Sequence, residues 1–248
     1  THIEWRADTI VFPTIPDSPA SGAILTASGL MAASRGLKHK RPDGTQQRPD
    51  FVILDDPQTD ESASTPAQVT KRLNVIRKSI LKLGGHDRKI AVVVNATVIK
   101  PDDLVEQLLD AKRFPSWQGE RIPMVREWAR AHETLWLTDY ARLRNQFDAE
   151  VLGDQQRAHR AATEFYRRNR AAMDEGCRVS WKHCYDPITE ISAVQHAYNL
   201  LIDDGEEVFA SECQNAPLRA KEEAEQTITA EAIAAKTSGL PRWTIPLA

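Results

Sequence analysis

Two continuous apolar runs constrain this chain more than anything else in it: Phe51 to Leu54 in "PDFVILDDPQ", and Ile90 to Val94 in "KIAVVVNATVI". Each is short and rich in β-branched residues, which predicts strands buried on both faces. Between them, Val69, Leu73, Ile76, Ile80 and Leu83 recur at steps of three and four residues. That spacing predicts a helix over 64–83, with Ser64 or Thr65 (followed by Pro66) as its N-cap and Gly84-Gly85 as its stop. A strand, a helix and a strand in this order predict a parallel pair joined by a crossover. The first run ends in Asp55-Asp56 and the second in Asn95-Ala96-Thr97, so both polar ends fall at one edge of the sheet. Adjacent carboxylates repel unless a cation or water screens them. The acidic end is therefore either a solvated turn before Pro57 or a metal-phosphate site at the carboxyl end of a strand.

Around this pair the chain alternates. "TIVFP" and "GAILTASG" read as strands separated by a proline-rich turn, and "GLKHKRPDGTQQRPD" reads as a basic loop. Pro101 is expected to open a further helix with Leu104, Leu108 and Leu109 inward, and "IPMVREW" is a third strand candidate that would extend a parallel sheet. After Trp128 the periodicity becomes helical. Leu137, Tyr140, Leu143, Phe147 and Val151 make one stripe, continued by Ala158, Ala161 and Phe165. Arginines 142, 144, 157, 160, 167, 168 and 170 stud the region and are expected to pair with nearby Asp and Glu on a solvated face, with a nucleic-acid-facing stripe as the other reading. A last helix after Pro187 places Ile191, Val194, Tyr198 and Leu201 on one side. The final thirty residues look like a connector.

A chain of 248 residues can bury one large core or two smaller ones. The formal net charge of -3 gives no whole-chain support for nucleic-acid binding, so any such surface has to be a local patch. Three cysteines with no CxxC pair argue against a disulfide framework and for a reducing compartment. Cys177, His183 and Cys184 lack a fourth ligand at a usual spacing and read as ordinary residues. No run is long enough to span a bilayer, and "THIEW" is neither a signal peptide nor a natural start, which suggests a mature or excised piece.

Taken together, "ILTASGLMAASRGL", "RPDFVILDDPQTDESAS", "VVVNATVIKPDDLVEQLL", "FPSWQGER", "ISAVQHAYNLL" and "FASECQNAPL" resemble the large terminase subunit of tailed bacteriophages, the motor that packages DNA into the capsid. The resemblance runs from about Trp5 to Leu247. It implies an α/β fold: part of a P-loop NTPase of the additional-strand class, with a parallel sheet and a helical lid subdomain. Residues 1–128 would be the latter part of the ATPase core, 129–218 the lid, and 219–248 a linker toward a nuclease domain. By this resemblance Asp55 would hold the Mg²⁺ of Mg-ATP. Asp56 would orient or deprotonate the attacking water, although terminases commonly carry Glu there. Asn95 and Thr97 would form the coupling motif that senses the γ-phosphate, and Arg35 in "SRGL" would sit where some terminases carry an arginine finger, acting in cis or from a neighbouring subunit. The implied partners are double-stranded DNA, the portal protein, the small terminase subunit and further copies in a ring, without a membrane, in the cytoplasm of a bacterial host.

No G-x-x-x-x-G-K-[ST] phosphate loop occurs in these residues, whereas in the family it lies upstream. The segment alone is therefore expected not to turn over ATP. Two other readings compete. Asp55-Asp56, Asp102-Asp103 and Asp203-Asp204 could converge as a two-metal nuclease, although the second pair also suits a helix start and the third a turn before Gly205. Alternatively the chain is an inactive interaction module that retains a motor fold.

Overall fold

The computed structural model describes residues 3–32, 37–40 and 44–219. The chain divides into two units, Thr1–Pro217 and Leu218–Ala248, and every described helix and strand belongs to the first. Arg35 and most of the connector, 220–248, lie outside the described residues.

The architecture is mixed α/β, with several small sheets. Near the N-terminus β1 (Glu4–Trp5), β2 (Thr9–Val11) and β3 (Ile24–Thr26) form an antiparallel meander. A short ribbon of β4 (His39–Lys40) and β5 (Gln46–Gln47) follows. Next comes the predicted parallel pair. β6 (Phe51–Asp55) and β7 (Ala91–Asn95) run side by side in register from Phe51 opposite Ala91 to Asp55 opposite Asn95.

The crossover between them contains α1 (Asp60–Ala63) and α2 (Pro66–Lys78). Thr65 caps α2 and Pro66 opens it, because proline gives up only an amide that the first turn leaves unbonded anyway. The periodic residues do what their spacing requires: Val69, Leu73 and Ile76 are buried, and a 3-10 turn over Ile80–Lys82 buries Ile80. They form one core with Leu54, Val98, and Leu104, Val105 and Leu108 of α3 (Leu104–Leu109).

The two strands are not buried on both faces. Val52, Leu54, Val92 and Val94 pack on α2 and α3, but Phe51, Ile53 and Val93 are 51%, 62% and 49% exposed. Among the described residues helices cover one side only, and alternate side chains of a strand point to opposite faces. Nor does Pro101 open a helix. α3 starts at Leu104 and is capped by Asp103, with Asp102 just before it in the left-handed region at φ 60°.

The third strand candidate also takes a different partner. β8 (Val125–Glu127) pairs antiparallel with β9 (Arg178–Val179) instead of extending the parallel pair. On Val125 the side chain of Gln214 acts as a substitute strand: its Oε1 accepts from Val125 N at 2.9 Å and its Nε2 donates to Val125 O at 3.1 Å.

The helical region holds a π-helical segment (His132–Tyr140), α4 (Ala141–Asn145), α5 (Asp154–Asp174) and α6 (Ala193–Glu212). Its core is aromatic. Trp136 stacks on Tyr198 with centroids 4.1 Å apart and meets Tyr140 and Tyr166 at 4.9 Å each. On α5 the buried face is Ala158, Ala162, Tyr166 and Met173, so Ala162 replaces the expected Ala161, and Val151 is exposed rather than part of the stripe. Gly205, at φ 83° and ψ 167°, breaks α6 in a conformation reserved for glycine. Many of the arginines find the expected acids: Arg144 with Asp203, Arg157 with Asp154, Arg167 and Arg168 with Glu164, and Arg170 with Asp174.

Candidate nucleotide site at the end of the parallel pair

Because β6 and β7 are parallel and in register, Asp55 and Asn95 arrive together at the same edge. The Asn95 Nδ2 donates to Asp55 Oδ1 at 3.1 Å. Both residues are exposed. Among the described residues, no donor is bonded to the other carboxylate oxygen of Asp55.

Asp56 follows at a sharp turn. Its backbone N–H donates to Asn95 O at 2.9 Å, extending the ladder by one bond, while its φ of 41° lies in the left-handed region. Asp enters that region far more readily than most residues. The Asp56 side chain is exposed, without an ion pair among the described residues.

Thr97 lies half-buried just past β7, and its carbonyl accepts from Gln58 Nε2 at 3.2 Å. Gln58 is the residue that ties the two strand ends together. Besides Thr97 it donates to Asp103 Oδ2 at 2.6 Å, and its Oε1 accepts from Leu104 N at 3.0 Å. Asp103 is fully buried, and it also accepts from Ile99 N at 2.7 Å, Lys100 N at 3.1 Å and Glu106 N at 2.8 Å. A buried carboxylate with this many donors is a fastened structural element. The loop leaving β7 is thereby fixed to the loop leaving β6.

A second link comes from the far end of the helical region. Asn215, at φ 51°, accepts from Val98 N at 3.1 Å and donates to Ile122 O at 3.2 Å. The residue next to Thr97 is thus bonded directly to the segment that follows α6.

The spacing of Asp103 and Glu106 carried a helix-start signal that would have identified the cap. Nothing local marked Gln58 or Asn215. Of the sequence-predicted site residues, Asp55, Asp56, Asn95 and Thr97 gather at one edge, and Arg35 lies outside the described residues.

The other acid pairs do not join them. Asp103 is committed to its cap, Asp102 pairs with Arg113 at 2.7 Å, and Asp203 holds Arg144 in a two-pronged contact. Among the described residues, no group of three His, Cys, Asp or Glu side chains is placed to hold a metal ion by itself. The thiols of Cys177, Cys184 and Cys213 are free. No described helix is long and apolar enough to cross a membrane.

No family model matches the chain, and neither a curated protein nor a solved structure matches it.

Proposed function

We propose that this chain is part of the large terminase subunit of a tailed phage, contributing the Walker B acids and the coupling motif of an ATPase that drives double-stranded DNA into a capsid. The observation that carries the reading is the juxtaposition of Asp55 and Asn95 across a parallel pair, 3.1 Å apart and exposed at its carboxyl edge, where open α/β sheets take ligands. In this reading Asp55 offers its unbonded oxygen to Mg²⁺ of Mg-ATP, directly or through water. Asp56 holds the attacking water and receives its proton. Asn95 orients Asp55 and senses the γ-phosphate, and the Gln58 to Thr97 bond passes its displacement to the loop beyond β7. The cofactors are ATP and Mg²⁺. DNA, the portal, the small subunit and other copies in a ring are the partners, and Arg35 is the candidate finger.

The test uses the protein that carries this segment together with a phosphate loop. Asp55→Ala is expected to abolish Mg²⁺-dependent turnover. Asp56→Asn should retain nucleotide binding, followed with a fluorescent ATP analogue, while the chemical step slows by about a hundredfold or more, the scale of a lost general base. Full turnover in Asp55→Ala would remove the reading.

A further inference from the structure

A cleft of about 680 Å³, whose lining does not include Asp55, opens on the helical region between β8, β9, α5 and the start of α6. Its lining carries four cationic side chains, Arg126, Arg170, Arg178 and Lys182, against one carboxylate, Asp174. In a chain of net charge -3 this is a local reversal of sign. The cations differ in how far they are committed. Arg126 donates through Nε to Ser180 Oγ at 3.0 Å and has no carboxylate partner among the described residues. Lys182 is exposed and has no described ion pair. Arg178 meets Glu127 at 3.3 Å, but both side chains are more than half exposed, so that pair is weak and easily exchanged.

Asp174 is already engaged. The Tyr166 hydroxyl donates to it at 2.7 Å and Arg170 Nε at 3.2 Å, so Asp174 and Arg170 largely offset each other and the field in the cleft rests on Arg126, Arg178 and Lys182. Beside it stand the first residues of α6, Ala193 and Val194, whose amides no described group accepts from, whereas Ser192 takes the amides of Gln195 and His196. Cys177 brings no opposing charge, since burial and then Asp174 push its thiol up to about 11.

We infer that this cleft is where the chain grips the sugar-phosphate backbone of double-stranded DNA, an assignment that rests on the terminase reading for its choice of polyanion. The lining contains no aromatic side chain on which an unpaired base could stack, and single-strand grooves depend on such platforms. What it offers is point charge and amide N–H, the chemistry that contacts phosphates without reading sequence.

The experiment is fluorescence anisotropy of a short labelled duplex, titrated with the 248-residue chain at several salt concentrations and without nucleotide. Each phosphate contact contributes about 0.9 to the slope of log affinity against log salt, so Arg126→Gln with Lys182→Gln should reduce the slope by about 2 and weaken duplexes of unrelated sequence alike. Arg168→Gln, about 200° around α5 from Arg170, should leave the slope unchanged. Both replaced side chains are exposed, and superimposable thermal melts establish that the variants fold. An unchanged slope in the double variant, an equal loss in Arg168→Gln, tighter binding of single strands than of duplex, or no duplex binding at low salt would each overturn the assignment. Because nucleotide plays no part in the measurement, its failure leaves the Asp55 and Asp56 outcomes intact, and a failure of the terminase reading shows in those outcomes and not in the salt slope.

Discussion

Asp103 shows how much a single buried charge can organise. It has no accessible surface, yet its two oxygens accept from Gln58, Ile99, Lys100 and Glu106, joining a helix cap to both loops of the candidate site. Removing it costs a cap, about 1 kcal/mol, and leaves buried donors unpaired at about 1–3 kcal/mol for the group. Asp103→Ala is therefore expected to lose about 3 kcal/mol in urea unfolding, with Asp103→Asn losing about half of that because its amide oxygen still accepts. Equal stability of Asp103→Ala and the parent would mean that the loops beyond β6 and β7 are held by something else.

The two faces of the parallel pair differ in energetic weight. Leu54 is 8% exposed and packs against the α2 and α3 core, whereas Ile53, its neighbour in β6, is 62% exposed. Leu54→Ala should cost about 2–4 kcal/mol through lost burial and the cavity it leaves. Ile53→Thr keeps β-branching on an open face, so its effect should fall within about 0.5 kcal/mol. Chemical denaturation of the two variants side by side reads this directly, and a large loss in Ile53→Thr would show that the open face is covered in solution. At α6, two segments are joined through Gly205, whose φ and ψ no other residue adopts comfortably. Arg144 from α4 grips Asp203 just before that break, fixing the end of the first segment.

At the scale of the molecule, the 248 residues hold Asp55, Asp56 and Asn95, proposed above to bind metal, orient water and sense the γ-phosphate, but no G-x-x-x-x-G-K-[ST] sequence to cradle the β- and γ-phosphates with backbone amides and a lysine. Positioning accounts for much of phosphoryl-transfer catalysis. The segment alone is thus expected to show no sustained ATP turnover in a phosphate-release assay. Turnover that Asp55→Ala abolishes would place the phosphate cradle within these residues. The sequence by itself determined the local order: two β-branched runs could only be strands, the three-and-four spacing of Val69 to Leu83 could only bury one side of a helix, and parallel pairing then had to bring Asp55 and Asn95 to one edge. These follow from periodicity and chain connectivity, which act over a few residues or one crossover. Only tertiary structure decided which strand β8 would join: Val125 lies opposite Val179, while its own N–H and C=O are both taken by the Gln214 amide. It alone left Phe51, Ile53 and Val93 exposed, because an apolar run records that a residue can be buried and not whether a neighbour is there to bury it. The same holds for Asn215, bonded to Val98 across 117 residues: a hydrogen bond between such distant positions leaves no trace in local spacing, and exists only once both ends have been placed by the packing between them.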